Sequence, residues 1–256
     1  MKLKDKVAVV TGGADGIGAA YCRGFAKEGA KIVIADEKLD SAQQALEEYK
    51  KKGVEALGIQ MDVSNVNDTL QLAKKTVDRF GRIDILVNNA ALMRVAKISR
   101  DVPFYELDLN EWNRAMAVNA TGPFLCARAV FPYMKEQGRG KIINVASGNF
   151  FRGGGSVKYP HYVASKGAVI GLTRALAREL GEYNINVNCI CPGYVLTDWG
   201  TDPYRIEFGK IEADKRCLKR DEYPEDLIGT AIFLASSDSD FITGQTIVVD
   251  GGEVML

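Results

Sequence analysis

An α/β fold with a doubly wound parallel sheet is predicted for this chain by three observations. Short apolar runs alternate with helical patterns along the 256 residues. A glycine-rich stretch stands between the first apolar run and the first helical pattern. The second apolar run ends on an acid, Asp36. No internal repeat, low-complexity tract or linker is visible, so one domain spanning 1–256 is expected, with a substrate loop at about 195–220.

Residues 7–10, Val-Ala-Val-Val, suit a buried strand. Thr11-Gly12-Gly13-Ala14-Asp15-Gly16-Ile17-Gly18 follows, then a helical pattern over 19–28. Gly12 permits a tight turn, Gly16 a close approach of backbone to a pyrophosphate, and Gly18 packing of helix on sheet. The helix N-terminus then faces the anion. Residues 31–35 form the second strand. Asp36 stands where such a fold presents a carboxylate to the adenosine ribose, accepting from its hydroxyls and repelling a 2′-phosphate. Asp15 and Glu37 add negative charge, and no Lys or Arg occupies 13–17. The pattern favours NAD over NADP; the competing reading of Asp36 is a helix cap.

Residues 41–52 read as a helix and 54–61 as a strand ending at Asp62-Val63. Asp62 either bonds an adenine amino group or caps the next helix with Ser64. That helix spans 67–80 and is closed by Gly81. A fourth strand, 83–87, runs into Asn88-Asn89-Ala90-Ala91. Residues 92–110 read as irregular, at the carboxyl edge of the sheet where ligands bind. A long helix over 112–134 contains Asn119, a poor interior helix residue that marks a buried polar role. Strand five, 141–145, leads to Ser147, and 149–158 reads as a glycine-rich loop. Strand six, 185–191, leads to Pro192-Gly193-Tyr194-Val195-Leu196-Thr197. Residues 198–220 read as a mobile amphipathic insertion, 224–234 as a helix and 246–249 as the last strand.

Pro160 can open a helix, which puts Tyr162 and Lys166 one turn apart on one face. A phenol titrates at about 10, and a nearby ammonium favours the phenolate, so the pair can make a base. Taken alone, Tyr-x-x-x-Lys is a weak signal, better described as a chance pair on a solvated face.

Composition limits the alternatives. The formal net charge is zero, which gives no electrostatic case for nucleic acid or membrane partners. No apolar run approaches bilayer length and no signal-peptide core is seen, so a cytoplasmic protein is expected. Five cysteines read as reduced thiols, with Cys189 and Cys191 on one strand face in the core, and a single histidine argues against a zinc site.

The ordered set Thr11-Gly12-x-x-x-Gly16-Ile17-Gly18, Asn88-Asn89-Ala90, Asn119, Ser147, Tyr162-x-x-x-Lys166 and Pro192-Gly193 resembles the classical short-chain dehydrogenase/reductase family over essentially the whole chain. The resemblance implies a Rossmann-type, seven-stranded parallel sheet and hydride transfer between a secondary alcohol or ketone and a nicotinamide. Tyr162 would be the general acid/base. Lys166 would lower its pKa and hold the nicotinamide ribose. Ser147 would bond the substrate oxygen, and Asn119 would hold a relay water. Gly12, Asp15, Gly16, Ile17, Gly18, Asp36, Asp62, Val63, Asn89, Ala90, Tyr162, Lys166, Pro192, Gly193, Val195 and Thr197 would line the NAD site. Ala91 departs from the family pattern, which has glycine there. A homotetramer or dimer through 112–134, 164–182 and 241–245 is also implied.

Substrate contacts are expected from Arg94, Asn149, His161, Tyr194, Trp199 and Tyr204, with Phe150 and Phe151 as core or interface. The aromatic residues favour a ring-bearing or bulky secondary alcohol. Arg94, Arg152 and Arg205 allow a carboxylated substrate instead. A non-catalytic NAD-sensing protein is the reading from another class.

Overall fold

In the computed structural model, seven apolar runs become strands: β1 Val7–Thr11, β2 Lys31–Asp36, β3 Ala56–Gln60, β4 Ile85–Asn88, β5 Gly140–Val145, β6 Ile185–Pro192 and β7 Thr246–Val249. All pair in parallel, in the order β3-β2-β1-β4-β5-β6-β7. β1 and β4 are buried along their full length, which is why they read as unbroken apolar runs rather than alternating ones. The strand order reverses between them, and a crevice opens outside their carboxyl ends. The structure describes residues 1–92, 103–154, 159–197 and 203–256, with backbone alone for residue 39 and for 203–205.

Helices cover both faces. On one face α1 Gly16–Lys27, α2 Leu39–Lys51 and a late helix, Pro224–Ala235, bury Tyr21, Phe25, Tyr49 and Leu227 against Ala8, Val10 and Ile34. On the other, α3 Val66–Phe80 and the helices Gly122–Gln137 and Pro160–Leu180 bury Leu72, Val130 and Leu180 against Val7, Val9 and Val33. Adjacent residues of β1 thus feed opposite cores, as a strand's period of two requires. Asn65 caps α3 by accepting from Asn67 and Asp68 N–H, and Gly81 ends it with φ of 75°. Among the described residues no helix is long and apolar enough to cross a membrane.

Three segments differ from the sequence reading. The helix predicted over 112–134 starts at Leu109 and ends at Gln137, in three parts: α4 Leu109–Met116, a π-helical turn Ala117–Thr121, and α5 Gly122–Gln137. Asp108 caps it by accepting from Asn110 N–H. Pro123 explains the irregular turn, because it has no N–H for the carbonyl four residues back, that of Asn119, and its ring crowds that carbonyl. The glycine-rich stretch after Ser147 begins as a short helix, α6 Asn149–Arg152, because Gly153 serves as its left-handed cap with φ of 63°. α7 Pro160–Leu180 follows. Part of the predicted mobile insertion is α8 Pro203–Lys215, which buries Glu212 and Ala213 and leads to the buried Arg216. That face carries charge, so sequence hydropathy hides it. The helix Pro224–Ala235 is α9.

Candidate active site

The crevice at the carboxyl ends of β1 and β4 holds a cleft of about 570 Å³. Gly12, Asp15, Gly16, Ile17 and Gly18 line one wall. Asn89 ties this wall to β4, donating from Nδ2 to the carbonyls of Thr11 and Gly12, both at 3.0 Å. Thr11 Oγ1 accepts from the N–H groups of Asn89 and Ala90, both at 3.1 Å. α1 starts on this loop with no acid in its first turn, so its N-terminal N–H groups suit an anion. A Cβ on Gly18 would lie 1.9 Å from the Gly12 carbonyl oxygen and 2.7 Å from Asn89 Nδ2. Gly18→Ala is therefore expected to cost about 1–3 kcal/mol of stability through overpacking. Gly171→Ala, on α7 with nothing within 4 Å of an added Cβ, is the control. Urea midpoints of the two variants check this.

Asp36 lines the end of the cleft beyond the glycine loop, together with Glu37 and Lys38. Its Oδ2 accepts from Ala14 N–H at 3.1 Å and its Oδ1 from Lys38 N–H at 3.0 Å. Lys38, not Asp36, is the N-cap position of α2, so the capping alternative falls. Asp62 and Val63 also line this end. Neither sequence reading of Asp62 anticipated its partner. Its Oδ2 accepts from Arg114 Nη2 at 3.0 Å, and its Oδ1 accepts from Ser64 N–H and Oγ–H at 2.8 and 2.7 Å. The cap of α3 is Asn65 instead, one residue after Ser64 and better placed to reach the first turn. Partial burial alone would raise the Asp62 carboxyl, but bonds from Ser64 and Arg114 hold it below its ordinary value. Arg114 was missed because it lies 52 residues from its partner. Ala90 and Ala91 complete the wall, so Ala91 sits at the cleft surface.

Deeper along the crevice, Ser147 at the end of β5 meets Tyr162 and Lys166 from α7. Lys166 is buried and donates from Nζ to the Val145 carbonyl at 2.8 Å. Its Nζ lies 5.5 Å from the centre of the Tyr162 ring. Burial pushes the Tyr162 phenol up to about 12, opposed by a hydrogen bond with Ser147. Burial also pushes the Lys166 ammonium down to about 8. In the chain alone, desolvation acts against the charged form of both.

Asn119 sits in the π-helical turn, buried, with both of its amide N–H donors engaged. Its Oδ1 accepts from Leu92 N–H at 2.6 Å, and its Nδ2 donates to the Leu92 carbonyl at 2.8 Å and to Ser165 Oγ at 3.0 Å. Its amide nitrogen therefore has no donor left for a water. Ser165, which passes a hydrogen bond to the Tyr162 carbonyl at 2.7 Å, was not singled out from sequence. Nor was the buried ladder beneath it, Asn88 Nδ2 to Asn144 Oδ1 and Asn144 Nδ2 to Thr173 Oγ1. An Asn inside a strand pattern was its only signal.

The segment after β6 crosses the crevice. Pro192 accepts from Gly148 N–H at 2.8 Å, next to Ser147. Thr197 reaches the glycine loop, 3.4 Å from where a Cβ on Gly16 would stand. Gly193 and Val195 lie between. Of the expected substrate residues, Asn149 turns its oxygen to Arg152 Nη2. Tyr194 packs edge-on against Phe208 at 4.9 Å. His161 is 1% exposed, with its ring edge-on to Tyr159, so it is a core residue rather than a surface of the cleft. Arg94 and Trp199 lie outside the described residues, as does the side chain of Tyr204. Arg152 does not offer itself to an anionic substrate: it pairs with Glu212 at 2.7 Å and with Glu253. Phe150 is 38% exposed and packs edge-on against Phe151.

Comparison with known proteins agrees with this architecture. The family model for short chain dehydrogenases matches residues 6–204. The chain is 36% identical over 253 residues to the (2S)-[(R)-hydroxy(phenyl)methyl]succinyl-CoA dehydrogenase subunit BbsD of Thauera aromatica, covering 98% of each chain. It is 38% identical to the 2-dehydro-3-deoxy-D-gluconate 5-dehydrogenase of Dickeya dadantii, over 98% of this chain and 96% of that one. The crystal structure of a short-chain type dehydrogenase/reductase from Mycobacterium marinum superposes with a TM-score of 0.91 at 33% identity, covering 100% of this chain and 98% of that one. The chain belongs to the short-chain dehydrogenase family, oxidoreductases that bind a nicotinamide cofactor, NAD or NADP.

Proposed function

We propose that this protein is an NAD-dependent dehydrogenase that interconverts a secondary alcohol and its ketone. The observation that carries the reading is the meeting of Ser147, Tyr162 and Lys166 at the sheet's carboxyl edge, beside a cleft walled by Gly12–Gly18 and Asp36. The residues present fit a dinucleotide. The N-terminus of α1 suits a pyrophosphate, Asp36 and Asp62 stand at the adenosine end, and Asn89, Ala90, Pro192, Gly193, Val195 and Thr197 border the path between. When bound, the nicotinamide supplies the hydride acceptor or donor.

The chain's own residues handle the proton and the geometry. Ser147 donates to the substrate oxygen and orients it. Tyr162 takes the alcohol proton in oxidation and returns it in reduction. Lys166, fixed by Val145, lies beside Tyr162 to hold the ribose hydroxyls and, through its charge, to favour the phenolate. With its side chain committed to Leu92 and Ser165, Asn119 serves the relay through its main-chain carbonyl, which Pro123 cannot engage. Leu92 and Ser165 hold that turn in place.

One relative is named for a hydroxy(phenyl)methyl succinyl-CoA and another for a sugar acid. Both names support a secondary alcohol, and the commitment of Arg152 to Glu212 and Glu253 favours a bulky neutral group over a carboxylate at that position. Lys38 lines the cleft next to Asp36 and favours the second reading, an NADP-dependent reductase. The proposed assembly is a homotetramer or dimer, to be checked by sedimentation.

The deciding experiment mixes enzyme with NAD or NADP and a panel of aryl, alicyclic, hydroxy-acid and sugar-derived alcohols, following absorbance of the reduced cofactor. Turnover with NAD is expected; binding of NADH with no turnover on any alcohol or ketone favours the sensing protein. The pH dependence has a definite sign. Tyr162 must be ionised to accept a proton, and burial holds it up at about 12 in the chain alone. Oxidation is expected to quicken about tenfold per pH unit on its rising limb, while reduction, which needs the phenol protonated, stays flat or slows. Profiles of kcat/KM in both directions check this, and a flat oxidation limb removes Tyr162 as the base.

A further inference from the structure

Beneath the segment that crosses the crevice lies a buried pair, Arg216 at 2% exposed and Glu222 at 4%. Neither touches the catalytic residues; Arg216 lies in the stretch that sequence hydropathy read as a mobile insertion, and Glu222 just beyond it. Glu222 Oε2 accepts from Gly193 N–H at 3.1 Å. Arg216 Nη2 donates to the Tyr194 carbonyl at 2.8 Å and stands 3.4 Å from Glu222 Oε2. Arg216 Nη1 donates to the Arg220 carbonyl at 3.0 Å, closing the turn that carries Glu222. The backbone of Glu222 adds a third tie, its carbonyl accepting from Leu196 N–H at 2.8 Å.

These ties fix Val195 from both sides. Val195 and Glu222 form an isolated parallel bridge. With Leu196 N–H donating to Glu222, that bridge uses the backbone groups of Glu222 and leaves the N–H and C=O of Val195 pointing away from it. A donor and an acceptor side by side match a primary carboxamide, which is what the nicotinamide ring carries. Contact between pair and segment is close. A Cβ on Gly193 would lie 2.7 Å from Glu222 Oε2 and 3.3 Å from Arg216 Nη2.

We propose that Arg216 and Glu222 are positioning residues that clamp Gly193–Leu196 from behind, so that Val195 presents its amide and carbonyl to the carboxamide of the cofactor. This rests on the dinucleotide reading of the cleft. Two charged side chains buried behind a loop are costly to desolvate. Burial raises the Glu222 carboxyl to about 8, with Arg216 pulling the other way. A purely structural plug would serve as well with apolar residues; the hydrogen bonds to Gly193 and Tyr194 would not survive the exchange.

The test follows from that difference. Replacing a buried ion pair by apolar residues of similar volume is often neutral for stability, so the double variant Arg216→Met with Glu222→Leu is compared with the parent. NADH and ADP-ribose, which lacks the nicotinamide, are titrated into both. NADH affinity is expected to fall about tenfold, as for the loss of one good hydrogen-bonded contact, while ADP-ribose affinity stays within about twofold. Gly193→Ala approaches the clamp from the other side with both charges in place, and it is expected to give the same split. It alone decides if the double variant does not fold. Equal retention of both ligands, or equal loss of both, overturns the clamp while leaving the dinucleotide site standing. A parent that binds neither ligand overturns the dinucleotide reading and the clamp with it.

Discussion

Tyr162→Phe is expected to lower kcat by about 10²–10⁴, the usual worth of a positioned general acid or base, and to leave NADH affinity within about twofold of the parent. The separation follows from where the hydroxyl stands. The ring of Tyr162, with Lys166 Nζ 5.5 Å from its centre, stays in the variant. Lys166, the neighbour expected to hold the ribose, is anchored to the Val145 carbonyl rather than to the phenol, so its position survives the substitution. The parts of the cleft proposed to hold pyrophosphate and adenosine are built from other elements. What disappears is one oxygen, the one hydrogen-bonded to Ser147. Ser147→Ala removes the partner and is expected to cost less, about 10-fold to 100-fold, because it orients the substrate without moving its proton. Rapid-mix turnover and NADH titration on both variants check the order. Near-parental turnover in Tyr162→Phe would put the base on another residue.

The fold was legible because its signals are local. β7 matches the predicted boundaries, and strands four, five and six differ by a residue or two. Gly81 marked the end of α3, and the glycine loop marked the start of α1. The gathering of Ser147, Tyr162 and Lys166 was legible through order along the chain. Three kinds of feature were not. Arg114 with Asp62, and Arg152 with Glu212 and Glu253, pair residues far apart in sequence, where charge patterns along one element carry no information. Arg216 and Glu222 are buried charges, and a hydropathy reading places charges outside. The commitment of the Asn119 amide depends on Leu92 and Ser165, brought in by separate elements. The π-helical turn itself had a signal, Pro123 four residues after Asn119, that a helix-propensity reading passes over.

Asp36→Asn is expected to shift the ratio of NADPH to NADH affinity by about 100-fold toward NADPH, and electrostatics sets that scale. Two unit charges about 4 Å apart interact by about 4 kcal/mol in an effective medium typical of a protein surface. A 2′-phosphate carries about 1.5 to 2 negative charges. Asp36 is only half-buried, so solvent and salt screen most of this, and roughly 2–3 kcal/mol remains. Since about 1.4 kcal/mol is a factor of ten, that remainder is about two orders of magnitude. Asparagine keeps the size of the side chain and one acceptor for the N–H of Ala14, so the glycine loop should hold its place. It gives up the acceptor for Lys38 N–H, so the variant reports the charge together with one backbone contact outside the glycine loop. Salt supplies an independent check. The parent's preference for NADH is expected to shrink as ionic strength rises, and that of Asp36→Asn is expected to change little. Lys38 makes the opposing prediction, because it lines the same end of the cleft and its ammonium attracts a 2′-phosphate. If Asp36→Asn leaves the ratio unchanged and Lys38→Ala moves it toward NADH, the lysine governs cofactor choice, and the protein is an NADP-dependent reductase on the same scaffold.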